Sequence, residues 1–352
     1  MGKRKSARTC VIGCGDAAQH FHLPWLVKIK NALPVAVCDS NIELARKAAS
    51  KFHIAKYYGD YAQMIDKESP EVIDICTSPR SHATLSIQAM NSGCHVLIEK
   101  PMSTSLAEAD QMIEVANRND VKLCIIHNQL FSPSMLKAIS MVTVKGVIGD
   151  ITGIDSKILT TRKNPGIRDK YHWCHSLPGG PFGEELAHPI YSIMGFVGNI
   201  EPIAVYASKV GDSDWITADE LRVILKGQHC LATITSSLNW PKYKSTMDIS
   251  GTKGNMHIDI RNSAITLSGT YGNSLSSRAM ENLQQSYSLL AGTASSTIKM
   301  LVGKCHTGHY NLIERFFKAI LDDTRLPVTA DEGREVMRVY ENVIAKIRIL
   351  SE

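Results

Sequence analysis

The feature that most narrows the folds open to this chain is a glycine turn, Gly13, Cys14, Gly15, Asp16, Ala17 and Ala18, set directly between an apolar run at Thr9–Ile12 and a helix-forming stretch to about Lys30. In the pattern G-x-G-x-x-A each position has a physical task. Gly13 permits a tight turn, Gly15 lets the backbone approach a pyrophosphate, and Ala18 lets helix and strand pack closely. Free N–H groups at the helix start attract phosphate charge. Glycine turns are common, so the context matters: Asp39 ends the next apolar run, 21 residues after Ala18. A carboxylate there can accept hydrogen bonds from ribose hydroxyls, which favours NAD over a 2′-phosphorylated cofactor. Asp39 also suits a helix cap or turn, and Arg46 and Lys47 nearby would tolerate a 2′-phosphate, so NADP stays open.

Apolar runs at Leu33–Cys38, Val72–Cys76, His95–Ile98 and Lys122–Ile126 alternate with helical stretches at Ile42–Phe52, Ala83–Ser92 and Leu106–Asn119. That alternation predicts an α/β fold beginning with a doubly wound parallel sheet, a Rossmann domain over residues 1–127. From residue 128 the rhythm changes to longer β-rich stretches, from Gly149–Thr160 through Ser263–Leu267, separated by turn residues. The expectation for 128–352 is an α+β domain with a large, mainly antiparallel open sheet, binding substrate and forming oligomers. Within it Leu283, Tyr287, Leu290, Ala294, Ile298 and Leu301 recur at helical spacing, predicting an amphipathic helix at about 281–303. It would pack on the sheet or serve as a lid or subunit contact. Helices at about His309–Asp322 and Asp331–Leu350 close the chain.

With 352 residues, 44% of them apolar, the protein is large enough to bury two cores. It has no apolar run long enough to span a membrane. The basic start through Arg8 reads as a frayed terminus without the features of a secretory signal. A net charge of +5, scattered along the sequence, gives no support to nucleic-acid binding. The nine cysteines form no C-x-x-C pair and no metal-ligand spacing, which predicts reduced core thiols in a cytoplasmic protein and no metal site.

Glu99, Lys100 and Pro101 follow the fourth apolar run, at the carboxyl end of a predicted strand where open α/β sheets bind ligands. Together with the glycine turn, His22 and Pro24, this segment resembles the Gfo/Idh/MocA oxidoreductases. Thr77, Ser78, Pro79 and His82 also match, as do Gly149 to Ile151, Gly179 and Gly180 leading to His188, and Gly251 to Gly254. The resemblance implies that the turn residues, Asp39, Thr77, Ser78, Pro79, His82, Glu99 and Lys100 border the cofactor. It further implies that Lys100, Glu184 and His188 are catalytic. Removing a hydroxyl proton as hydride leaves requires a base with a pKa near working pH, which histidine supplies, and a nearby ammonium steadies the developing alkoxide. Two departures stand out: Glu184 replaces the family's aspartate, and Tyr191 replaces the aspartate common three residues past the histidine. From one helical turn away, Glu184 could still orient His188.

On the substrate side, Arg162, Lys163, Arg168, Lys170, Tyr171, His172, Trp173 and His175 crowd the stretch before Gly179. By resemblance the substrate candidates are Asn128, Trp173, His175, Glu184, His188 and Lys100. An aromatic with flanking donors suits a sugar face, and the cations suit a carboxylate or phosphate, although a solvated charged loop fits the same residues. The expected activity is hydride transfer between a nicotinamide and a hydroxyl or carbonyl of a sugar, polyol, sugar acid or activated sugar. The alternatives are an NAD-dependent glycosidase working by transient oxidation and elimination, and a cofactor sensor without catalysis. A homodimer or homotetramer is expected by resemblance.

Overall fold

The computed structural model describes residues 5–269, 272, 274–301 and 307–349, and they divide into two compact units. The first comprises residues 1–128 and 308–338, the second 129–307 and 339–352.

In the first unit six parallel strands lie in the order β3-β2-β1-β4-β5-β6. They are β1 (Ala7–Ile12), β2 (Ala32–Cys38), β3 (Lys56–Tyr58), β4 (Val72–Ile75), β5 (His95–Ile98) and β6 (Leu123–Ile125). Strands β4, β5 and β6 are buried almost throughout, as a sheet covered on both faces requires. The helices α1 (Leu23–Leu26), α2 (Ile42–Phe52), α3 (Tyr61–Glu68), α4 (His82–Asn91) and α5 (Leu106–Arg118) connect them. Asn41, Asp60 and Ser105 cap α2, α3 and α5 by accepting a main-chain N–H. The strand order reverses between β1 and β4, the switch point at which open α/β sheets bind ligands.

The second unit contains α6 (Pro133–Ile139), β7 (Ile151–Thr161), α7 (Pro165–Arg168), α8 (Pro181–Glu185), α9 (Ala187–Val197), β8 (Glu201–Ser208), β9 (Glu220–Lys226), β10 (Leu231–Trp240), β11 (Lys244–Gly251), β12 (Gly254–Asp259), β13 (Ala264–Ser268) and α10 (Leu275–Leu301). Its sheet runs β13-β12-β11-β7-β10-β9-β8-β14, β14 being Arg348–Ile349. It is antiparallel except at β7/β10 and β8/β14. Side chains alternate as a half-covered sheet demands. Ile154, Ile158, Leu221, Val223, Ala232, Ile234, Met247 and Ile249 are buried, with α9 packed on β7, whereas Tyr206, Ile224 and Leu231 face outward.

Three expectations change. The stretch between His53 and Glu71, for which the sequence predicts no element, forms β3 and α3; a three-residue strand is too short to show a period. The closing helices do not all belong to the second unit: α11 (Gly308–Leu321) and the first part of α12 (Ala330–Ala345) fall in the first. α11 buries Leu312, Ile313, Phe316 and Phe317 and packs on α1 and β1, giving its apolar face a sheet to cover. Finally, α10 starts at Leu275, earlier than expected, and although it packs beside β13, Leu283, Tyr287, Leu290 and Ile298 are exposed. Among the described residues, then, the expected stripe is not what meets the sheet.

All eight described cysteines are unpaired; Cys305 lies outside the described residues. Burial pushes the thiols of Cys10, Cys14, Cys38 and Cys174 up to about 12, which keeps them protonated and inert. No described helix is long and apolar enough to cross a membrane.

Candidate active site

The glycine turn lies between β1 and the helical segment that starts at Asp16. Gly13 has φ +91, and a Cβ there would lie 2.8 Å from both atoms of the backbone carbonyl of Cys76, at the end of β4. Its requirement for glycine is therefore internal to the sheet. Gly15 differs: a Cβ there would meet nothing within 4 Å. Open space beside a turn of main-chain amides is what a pyrophosphate needs. Asp39 accepts from Cys14 N–H and Asn41 N–H, both at 2.8 Å, so its carboxylate fixes the turn while lying at the ribose end of the expected cofactor. Asp16 pairs with His20 at the surface, Ala17 precedes a π-helical turn at Ala18–His22, and Ala18 is fully buried. These residues fit a dinucleotide.

Thr77 and Ser78 lead from β4 into a 3₁₀ turn at Pro79–Ser81, where Ser81 Oγ donates to Thr77 Oγ1 at 2.8 Å. His82 is buried, with Nδ1 2.9 Å from the Pro101 carbonyl and Nε2 3.0 Å from the Thr77 carbonyl. Two carbonyls call for two N–H donors, but burial pulls the ring toward its neutral form, which has one. His82 sits between the Thr77 turn and the Lys100–Pro101 peptide, which is cis, and as a neutral ring donates to one of the two carbonyls.

Beneath that peptide lies a buried charged cluster that the sequence did not announce. The π-helical turn brings His22, with no exposed surface, between two carboxylates. Its Nδ1 is 3.0 and 2.9 Å from the Asp74 oxygens, and its Nε2 is 2.8 Å from Glu99 Oε1. His309, from α11, places Nε2 3.5 Å from the same Glu99 oxygen. Phe21 stacks on His309 with centroids 4.9 Å apart. The other oxygen, Glu99 Oε2, accepts the Lys100 N–H at 3.0 Å.

Burial works against charge in both His22 and Glu99. The charge and hydrogen bond of Asp74 nevertheless hold the His22 imidazole well above its ordinary value, and hydrogen bonds from His22 and His309 hold Glu99 well below the carboxylate range. His22 is thus an imidazolium serving two carboxylates. The clue available in the sequence was Asp74, a charge inside a strand that has to be buried and therefore paired. His22, Asp74 and Cys76, and likewise His22, Glu99 and His309, also cluster tightly enough to be tested as metal ligands. Both His22 nitrogens lie at hydrogen-bond lengths from the carboxylates.

In the second unit His188 and Tyr191 are buried in α9, with Tyr191 Oη 2.6 Å from His188 Nδ1. The Gln129 N–H donates to the same oxygen at 3.2 Å. Tyr191 holds His188 at Nδ1, and Glu184 lies in α8, which a turn at Leu186 separates from α9. Trp173 and His175 share a 3₁₀ turn at Trp173–Ser176, with Trp173 partly exposed and tilted against His172. His175 Nε2 is buried with no hydrogen-bond partner among the described residues. Arg162 donates to Asn239 Oδ1 at 2.7 Å, and Asn128 opens a 3₁₀ turn after β6.

Residues 7–127 match the family model described as an oxidoreductase family with an NAD-binding Rossmann fold, GFO_IDH_MocA. Over that stretch the protein is similar to the Gfo/Idh/MocA oxidoreductases. Oxidoreductase P35 of Formosa agariphila is 26% identical over 263 residues, covering 73% of this chain and 81% of that protein. D-apiose dehydrogenase of Paraburkholderia graminis is 32% identical over 41% of this chain and 38% of its own. The aligned stretch thus spans well under half of that second relative. Among solved structures, the WlbA dehydrogenase of Bordetella pertussis in complex with NADH and UDP-GlcNAcA superposes with a TM-score of 0.80 at 17% identity, over 98% of this chain and 96% of that one. A levoglucosan dehydrogenase complex with NADH and L-sorbose gives 0.78 at 19% identity, over 97% of each chain. At that identity the likeness establishes the fold.

The two glycines of the turn make a clean contrast. Gly13→Ala should cost about 1–3 kcal/mol of stability in urea unfolding, because a Cβ collides with the backbone at positive φ. Gly15→Ala should leave stability within about 0.5 kcal/mol yet weaken NADH binding by at least roughly tenfold in a fluorescence titration, because it fills space reserved for phosphate.

A second prediction concerns acid. Burial pushes His127 down to about 3. Below its unfolded value, near 6.5, the unfolded protein binds a proton that the folded protein refuses, so stability falls as pH drops from there toward 3. Urea unfolding at pH 6.5 and pH 5.0 should show the wild type losing roughly 1–2 kcal/mol more than His127→Gln.

Proposed function

We propose that this protein is an NAD(P)-dependent dehydrogenase or reductase acting on a CH–OH group of a sugar, polyol, sugar acid or activated sugar. The observation that carries the reading is Lys100, its main-chain N–H fixed by Glu99 at the carboxyl end of β5, in the same unit as a glycine turn with open space at Gly15. A bound nicotinamide supplies or accepts the hydride. Everything else falls to side chains. Lys100 and His188 serve the reacting oxygen: the ammonium steadies negative charge there, and between them they manage its proton. In alcohol oxidation His188 Nε2 takes the hydroxyl proton while Nδ1 is held by Tyr191, and in carbonyl reduction the resulting imidazolium returns that proton.

Asp39 favours NAD, because a 2′-phosphate would meet its carboxylate. Asn128, Trp173, His175 and Glu184 are the proposed substrate contacts; the buried Nε2 of His175 is a polar atom awaiting a hydrogen-bond partner, which a hydroxylated ligand supplies. The glycosidase reading is not favoured, since the relatives named for an activity are dehydrogenases. The sensor reading fits poorly with a Lys100 whose backbone Glu99 holds and a buried His188 held by Tyr191. Buried reduced thiols suit the cytoplasm. The outward row of Tyr206, Ile224 and Leu231 suits pairing with a second copy.

The test starts from a screen of sugars, sugar acids and nucleotide sugars with NAD and NADP, followed by nicotinamide absorbance. On the substrate found, Lys100→Ala and His188→Ala should each lower kcat by about 10²–10⁴ while NADH still binds. Tyr191→Phe should cost about tenfold, because it removes the hydrogen bond that orients the ring. Unchanged turnover in both alanine variants refutes the assignment.

A further inference from the structure

We propose that His22 and His309 are positioning residues for Lys100, acting through Glu99. The inference rests on the reading of Lys100 as catalytic and adds two groups to it, one of them in α11, beyond the stretch that matches the family model.

Five observations converge. Glu99 is bound on both oxygens, Oε1 by the two imidazoles and Oε2 by the main-chain N–H of Lys100. Its carboxylate therefore cannot rotate without breaking contacts on both sides, and the backbone at Lys100 inherits that rigidity. His22 is itself clamped at Nδ1 by Asp74, from the interior of the neighbouring strand. The helix carrying His22 departs from α geometry at that residue, in a π-helical turn of the kind often found at functional sites. His309 begins α11, and Phe21, the residue before His22, stacks on its ring. The π-helical turn and α11 thus grip the Glu99 carboxylate together. On the far side of Lys100, His82 holds the Pro101 carbonyl. The residue whose ammonium must meet a reacting oxygen is so held by the backbone before and after it, the supporting shell that a precise site requires.

The test needs no substrate. The full-length protein, saturated with NADH, is treated with trace isotopic acetic anhydride, and acetylation of each lysine is followed by mass spectrometry in wild type, Glu99→Gln and His309→Gln. An unpinned Lys100 samples more conformations and reacts faster: about tenfold in Glu99→Gln and less in His309→Gln, with Lys28 and Lys67 unchanged as internal controls. NADH affinity should stay within about twofold in His309→Gln, and on an identified substrate kcat should fall far more than KM changes. If Glu99→Gln does not fold, His309→Gln decides, since that ring sits at the edge of the cluster. Lys100 labelling unchanged in the folded variants overturns the proposal. So does a stoichiometric metal ion in the purified protein that is lost with Glu99→Gln, since the cluster would then be a metal site. If labelling responds while Lys100→Ala turns over normally, the pinning stands and the catalytic assignment of Lys100 falls.

Discussion

One buried carboxylate organises the first unit. Glu99 leaves β5 where the sheet can bind a ligand, and it is desolvated there at a cost no folded protein accepts without compensation. The compensation is His22 and, more distantly, His309, with Asp74 behind His22. Those residues come from β4, from the turn after the glycine loop and from α11, so satisfying one charge fixes the mutual placement of three elements. Replacing a single partner leaves an uncompensated charge, typically a loss of about 3–5 kcal/mol, which explains why such a cluster behaves as a unit.

The same logic governs the turn. Gly13 is required by the close approach of Cys76, and Asp39 is held by two nearby backbone amides, so the protein's own contacts fix the cofactor end of the unit. Preorganisation of this kind lowers the ordering cost of binding. In the second unit Tyr191 orients the His188 ring through a neutral hydroxyl, without adding charge.

The glycine turn, the alternation of the first unit and the antiparallel character of the second were legible because each is a local pattern: spacing, period, a special φ. The strand at His95–Ile98 falls where the apolar run ends it. What escaped reading depended on distance along the sequence. Asp74 looked like one polar residue in an apolar run, and His309 like the start of a closing helix; only the fold brings them to His22 and Glu99. The helix α11 was expected in the wrong unit for the same reason, since an apolar stripe states that a face is buried, not against which sheet. Tyr191 was visible as a substitution, yet its bond to His188 could be seen only once the helix was built.

The most direct test of the account is a crystal structure of the protein with NAD and the alcohol substrate found by screening. The account predicts the pyrophosphate against Gly15 and the reacting hydroxyl within about 2.6–3.2 Å of Lys100 Nζ, with Glu99 still bound to the Lys100 amide. A substrate bound with its hydroxyl out of hydrogen-bond reach of Lys100, or a nucleotide lodged away from the glycine turn, contradicts it.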